Sequence, residues 1–347
     1  MRFYTKQHEH YCGIDLHTNK MYLCILDRHG ETVYHRNLKT TPEHFIHAVK
    51  PFREDLVVSA ECMFTWYWLA DLCEDEGIPF VLGHALYMRA IHGGKSKNDK
   101  IDSMKIAALL RGGLIPQAYT YPRKMRATRD LMRRRNHFMR KRAELFAHIQ
   151  NTASQYNLSE PLGQIAKPNK REGLVERFDR SCVQKSIEAN LEMITTYDRV
   201  IGSLERYIVR TAKSHDPISY ALLKTIHGVG RIIALNLLYE IEDIARFPRV
   251  QDFVSYSRLV KCAKESNGKK YGTAGKKIGN AHLRWAFSEA AQLFLKQNEP
   301  GRKYLQKVTN KHGKGKALSI LAHKLGRAVY HMLKNRKAFD MNKFLAT

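Results

Sequence analysis

The chain has 347 residues, enough for two or three domains with cores of their own, and a formal charge of +26 from 59 Lys and Arg against 33 Asp and Glu. That charge is lopsided: residues 1–110 carry 13 basic and 14 acidic side chains, a net of −1, and residues 111–347 carry the remaining 46 and 19. The basic residues are spread over several segments, which argues against one amphipathic membrane anchor and for a polyanionic partner whose binding weakens steeply with salt.

Residues 10–38 alternate as three consecutive strands, HYCGIDLHT, KMYLCILD and ETVYHRNL, joined by tight turns. Thr41-Pro42-Glu43 opens a short helix with proline at its first position. LVVSAE reads as a strand, FTWYWLADLCEDEG as a helix stopped by Gly77, and PFVLGH as another strand. A glycine- and lysine-rich loop, HGGKSKN, then meets the apolar-periodic helix KNDKIDSMKIAALL, and the lysines place that loop near phosphate. The order βββαβαβ followed by a helix is that of an α/β domain of RNase H/RuvC-like type, spanning residues 8–112.

Four carboxylates stand out in this segment. Asp15 ends the first strand, Glu61 ends the LVVSAE strand, and Asp99 and Asp102 open the last helix with the i, i+3 spacing that puts both on one face. Hard cations such as Mg²⁺ or Mn²⁺ take oxygen ligands, and paired metals serve phosphodiester chemistry by activating one oxygen while stabilising another. Acids at helix starts also suit the helix dipole and are common on solvated surfaces. An unpaired charge at the end of a buried strand is costly, however, and a cation at Asp15 would remove that cost.

From Tyr121 the pattern changes to long basic helices. Leu131, Phe138 and Leu145 recur every seven residues, with Met132, Met139 and Phe146 beside them and Ile149 after. A second helix, roughly 184–213, repeats this with Ile187, Leu191, Ile194, Ile201, Leu204 and Ile208. Joined by a polar stretch near 157–180, the two predict an antiparallel coiled-coil arm over residues 113–215. With few acids nearby in the sequence, Arg133, Arg134, Arg135, Arg140, Lys141 and Arg142 are candidates for nucleic-acid contact.

Residues 216–347 read as a mainly α-helical domain. ALLKTIHGVGRIIALNLLYEI gives a helix, a turn and a helix, so the amides at Gly228 and Gly230 are placed to bind a backbone phosphate; a plain helix–helix corner is the other reading. The stretch KCAKESNGKKYGTAGKKIGNAHLRWAF follows as a loop rich in Gly, Lys and Ser that runs into a helix from about His282. Its Lys264, Lys269, Lys270, Lys276 and Lys277, with Arg284 in the helix, are further candidates for contact with phosphates. Cys12, Cys24, Cys62, Cys73, Cys182 and Cys262 show no metal-ligand spacing and read as buried free thiols. With no signal peptide and no apolar stretch of bilayer length, a cytoplasmic, nucleoid-associated protein is expected.

Taken together, these residues resemble the IS110-type transposases, which include the Piv-type DNA invertases. The likeness covers nearly the whole chain: Asp15, Glu61, Asp99 and Asp102 match the four positions of the family's RuvC-like DEDD domain, and the GVG turn and ESNGKKYGTAGKKIGNAHLRWAFSEAA follow in the family's order. It implies a nucleophilic serine at Ser266, in Ser-Asn-Gly where the family has Ser-Gly, and His227 stands where proline often precedes GVG. It further implies recombination of donor and target double-stranded DNA through a covalent phosphoserine link, in a dimer or tetramer, with a structured element-encoded bridge RNA as guide. The rivals for nucleophile are Tyr256, Tyr271, Ser255, Ser257 and Thr273. The rival functions are a metal-dependent junction resolvase or nuclease, an invertase without a guide, and a non-catalytic nucleic-acid scaffold.

Overall fold

A computed structural model describes residues 2–91, 98–158, 165–274 and 278–346. The chain divides into two compact units, Met1–Arg123 and Lys124–Thr347.

The first unit is built on a five-stranded mixed sheet. Its strands are β1 (His10–Leu16), β2 (Lys20–Asp27), β3 (Thr32–Lys39), β4 (Leu56–Glu61) and β5 (Phe80–Gly83), in the order β3-β2-β1-β4-β5. The first three pair antiparallel through tight turns, and β4 and β5 add parallel to β1. Between them run α1 (Pro42–Val49) and α2 (Trp66–Asp75), and α3 (Ala85–Ile91) and α4 (Asp99–Arg111) follow β5. Thr41 caps α1, its side chain accepting from the His44 amide, with Pro42 at the first helical position as the sequence requires. The expected order of strands and helices is therefore observed. Two local readings need correction: α2 starts at Trp66, leaving Phe64 outside it, and α3 was not anticipated.

Strand alternation gives the sheet two apolar faces. Cys12, Ile14, Leu16, Leu23 and Val58 pack under Phe45 of α1 and Leu69 of α2. Tyr11, Val57 and Val81 pack on the other face against Ile106, Leu109 and Leu110 of α4. Gly13 lies on that second face, and a Cβ there would fall 2.2 Å from the Ala107 amide nitrogen and 2.4 Å from the Ser103 carbonyl oxygen. Only glycine lets α4 lie this close to β1.

Among its described residues, the second unit is helical apart from one hairpin. Its helices are α5 (Arg123–Gln155, mostly within this unit), α6 (Ser181–His215), α7 (Pro217–Lys224), α8 (Arg231–Ile241), α9 (Val250–Tyr256), α10 (Ala281–Leu293), α11 (Glu299–His312), α12 (Lys314–Asn335) and α13 (Met341–Ala346). The seven-residue series Ile187, Ile194, Ile201 and Ile208 is buried along α6. Helices α5 and α6 pair antiparallel within the chain: Arg135 meets Glu205, Arg142 meets Asp198, and His148 meets Asn190, one series rising as the other falls. A larger core gathers Leu235, Leu238, Phe253, Phe287, Leu321 and Leu325 around α8, α9, α10 and α12, and takes in Met132 of α5 and Ile208 of α6.

The stretch read as a loop before His282 is instead a β-hairpin, β6 (Cys262–Ser266) and β7 (Lys269–Ala274). Its turn is Asn267-Gly268 with φ of 49° and 71°, the pair of positive values that a tight two-residue hairpin turn demands and Asn-Gly supplies. The Ser-Asn-Gly sequence thus has a local physical reason. The cysteines also differ from expectation: Cys12, Cys24 and Cys73 are buried, whereas Cys62 and Cys182 are exposed.

Candidate active site

Two features bring acids together at one end of the first unit's sheet. The parallel register of β1 and β4 runs to Ile14 opposite Ala60, so Asp15 and Glu61 come next on neighbouring strands. Ile14 and Ala60 face the α1–α2 core, which puts Asp15 and Glu61 on the α4 face by alternation. The approach allowed by Gly13 then delivers the first turn of α4 to the same place. Asn98 caps that turn by accepting from the Lys100 amide, and His35 of β3 holds it through the Lys100 carbonyl at 3.0 Å and Ser103 Oγ at 3.2 Å. Asp99 and Asp102 both lie in it.

The tightest cluster is Asp15, His17 and Asp99, whose nearest ligand atoms all lie within 4.8 Å of one another. His17 Nε2 is 3.3 Å from Asp15 Oδ2 and 3.7 Å from Asp99 Oδ1. Burial raises the Asp15 carboxyl above its usual range, His17 pulls it down, and the charges of Asp99 and Asp102 push it up again. Asp102 faces Lys105 at 3.6 Å and contributes through its charge. Glu61 is half-buried beside Asp15 by register and is not within the tight cluster. His17 was not among the expected ligands; the signal for it is the D-x-H spacing of Asp15 and His17, which places i and i+2 on one side of an extended chain.

The donor set suits a divalent cation. Two carboxylates and an imidazole can converge on one ion, with further carboxylates close by, and a half-buried Asp15 raised by burial and then by its like-charged neighbours is a site short of positive charge.

In the second unit, Ser266 ends β6 opposite Lys269, exposed, and with no side-chain hydrogen bond among the described residues. Lys269 and Lys270 are exposed on the same hairpin, and Arg284 is exposed on α10. Lys276 and Lys277 lie outside the described residues, and Lys264 lies in β6 opposite Gly272. Among the rival nucleophiles, Tyr271 is 68% exposed while Ser257 is fully buried.

The arginines of α5 divide into two groups. Arg133 binds the buried Glu240 through two bonds of 2.6 and 2.9 Å, Arg135 is itself buried against Glu205, and Arg142 pairs with Asp198. Lys141 pairs with Glu144 at 2.8 Å. Arg134 and Arg140 are exposed. At the glycine turn, a Cβ on Gly228 (φ 80°) would fall 2.5 Å from the Leu293 carbonyl carbon, so Gly228 serves a close backbone crossing; Gly230 faces open space at the start of α8.

Comparison with known proteins places both units. The IS110-type DEDD transposase model, described as "Transposase", matches residues 12–158, and a model described as "Transposase IS116/IS110/IS902 family" matches residues 220–306. The chain is also 21% identical over 341 residues to the transposase for insertion sequence element IS1111A of Coxiella burnetii (strain RSA 493 / Nine Mile phase I). That match covers 94% of this chain and 90% of the relative. The first matched segment contains all four expected carboxylates and His17; the second contains the glycine turn and Ser266. No helix among the described residues is long and apolar enough to cross a membrane.

Proposed function

This chain belongs to the IS110-type transposase family, and from that premise we propose that it recombines DNA through a serine nucleophile served by a carboxylate metal site. Membership carries DNA binding and DNA-cutting activity with it. The observation that supports the metal site is the convergence of Asp15 and Asp99 with His17 at one end of the five-stranded sheet, where burial above all, with the charges of Asp99 and Asp102, raises the half-buried Asp15 carboxyl against the pull of His17.

In this reading Asp15, Asp99 and His17, with Glu61 and Asp102 adjoining, hold Mg²⁺ or Mn²⁺, which would neutralise phosphate oxygens as charge develops on them. The Ser266 hydroxyl gives up its proton and its oxygen attacks phosphorus. The phosphorus–oxygen bond to one strand breaks, the departing hydroxyl takes up a proton, and phosphoserine remains. Attack by the hydroxyl of another strand reverses the step and frees Ser266, so phosphodiester energy is conserved and no ATP is needed.

Among the described residues the exposed Ser266 side chain has no hydrogen-bond partner to activate it, and an unperturbed hydroxyl is a poor nucleophile. The hairpin and the carboxylates must therefore meet at one phosphate when DNA is bound, within a homodimer or tetramer. A structured, element-encoded bridge RNA, as the family resemblance implies, supplies sequence choice, and basic helices without an evident base-reading motif are compatible with it. Sequencing nucleic acid that co-purifies with the protein expressed beside its flanking DNA tests this, and the absence of a discrete flank-encoded RNA would favour an unguided, Piv-type invertase.

The same isolation of Ser266 favours one alternative, a RuvC-like nuclease or junction resolvase that cuts with water. Labelled DNA carrying the element ends separates them. A covalent protein–DNA adduct that maps to the Ser266 peptide and vanishes in Ser266→Ala is expected; free DNA ends with unaltered cutting by Ser266→Ala would establish the nuclease.

A further inference from the structure

Phe64 is the most exposed large apolar side chain among the described residues, at 79%, and it stands three residues after Glu61. Burying such a ring is worth roughly 1.5–3 kcal/mol, so a phenylalanine held in water marks a partner or nothing at all. Single exposed apolar residues are ordinary when they sit on unconstrained surface. This one does not.

The loop that carries it is fixed at both ends. The Cys62 amide donates to the Gly83 carbonyl at 2.8 Å, and the Met63 amide donates to the Glu61 carbonyl at 2.8 Å. Thr65 stands at the cap position of α2, yet its hydroxyl makes no cap bond and donates instead to the Leu16 carbonyl at 3.0 Å. Leu16 lies between Asp15 and His17. A hydroxyl that could have stabilised its own helix thus ties the loop to the strand end bearing the cluster, and Phe64 sits between that tether and Glu61. Met63, beside it, is also 50% exposed.

We infer that Phe64 is a stacking platform for a nucleobase next to the phosphate that the carboxylates receive. The inference rests on the proposed function. Its physical content is separate. Carboxylates and a cation can engage a phosphate but leave the adjoining base paired and stacked in the duplex. An apolar ring held at the edge of such a site offers a π-face to a base that has left its stack, and apolar side chains inserted at base steps partly unstack and kink duplexes. A ring suits any base, so Phe64 adds grip at the cut step without reading sequence.

The test uses the full chain with an element-end duplex in which 5-iodouracil replaces thymine, irradiated in Ca²⁺, and the cross-linked peptides are mapped. A cross-link at Phe64 is expected, together with its loss in Phe64→Ala and its retention in Phe64→Trp. Strand exchange should fall about ten- to a hundredfold in Phe64→Ala, the loss of one stacked base, and recover in Phe64→Trp. Calorimetric Mn²⁺ binding should stay at the wild-type level in both variants. Cross-links confined to residues 124–347, or wild-type exchange by Phe64→Ala, would overturn the stacking role. The proposed function fails differently: Asp15→Asn would bind Mn²⁺ and recombine normally whatever Phe64 does.

Discussion

Each unit holds a carboxylate withdrawn from water, and the two are perturbed in opposite directions. Asp15 in the first unit is raised, because burial and the neighbouring Asp99 and Asp102 outweigh His17. Glu240 in the second is lowered to about 2: burial would raise it, but Arg133 and Arg129 hold it ionised and Asn280 donates to it. One is left short of positive charge at the rim of a sheet. The other is satisfied from three sides inside a helical core. A perturbed carboxylate is therefore not by itself a mark of chemistry; what matters is whether the fold supplies its counter-charge or leaves that to a ligand. The first unit spends its structure on assembling a site, and the second spends its buried charge on holding helices together while Ser266 stands exposed.

The contrast breaks most readily at Glu240. Its oxygens are met by Arg129 Nε at 3.1 Å, by Arg133 and by Asn280 Nδ2 at 2.7 Å, and Asn280 in turn caps α10 through the His282 and Leu283 amides. Glu240→Ala removes the buried carboxylate that Arg129, Arg133 and Asn280 share, and a loss of about 3–5 kcal/mol in urea unfolding is expected. The pH dependence follows from the lowered value. The stabilisation is fully present above the ordinary glutamate value of 4.5 and is lost as the pH falls from there toward about 2. Glu240→Ala should flatten unfolding stability over that window; an unchanged acid limb would show the network to be idle.

Gly13 tests the other half of the comparison. Gly13→Ala drives a methyl into the backbone of α4, with a cost at or above the usual 1–3 kcal/mol of overpacking, because backbone cannot rotate away. The more informative effect is on the cluster: pushing α4 outward moves Asp99 and Asp102 from Asp15. Calorimetric Mn²⁺ affinity should drop about tenfold or more while residues 124–347 keep their unfolding behaviour. Wild-type affinity would mean that the approach of α4 does not assemble the site.

Much of the first unit was legible because its signals are local. Period-2 strands, the Thr41-Pro42 cap and the D-x-x-D opening of α4 each report on a few adjacent residues. Phe64 misled for the same reason: its apolar run continues into α2, and nothing nearby reveals that Thr65 would bond Leu16 rather than cap the helix. In the second unit, Asn267-Gly268 was a hairpin signal hidden among lysines and glycines. The partners of the α5 arginines were invisible, since Glu205 and Glu240 lie 70 and 107 residues from Arg135 and Arg133. His17 was legible in principle, two residues from Asp15, but a lone histidine acquires meaning only when Asp99 arrives from elsewhere in the chain.

Those distant partners recast how nucleic-acid binding on α5 should be examined. Arg133 and Arg135 are committed to Glu240 and Glu205, so replacing them removes ion pairs of the fold and confounds any binding assay. Arg134 and Arg140 are exposed, and their replacement by Gln should leave unfolding within about 0.5 kcal/mol of wild type. If each meets one phosphate, the slope of log affinity against log salt should flatten by about 0.9 per arginine on duplex DNA and about 0.7 on a single strand. Affinity at moderate salt should fall only severalfold, the smallest effect foreseen here. An unchanged slope in the double variant would remove this face of α5 from the interface. The basic charge on α5 would then serve the packing of the second unit alone, and the contacts would have to be sought on the serine hairpin, where Lys269 and Lys270 are exposed beside Ser266.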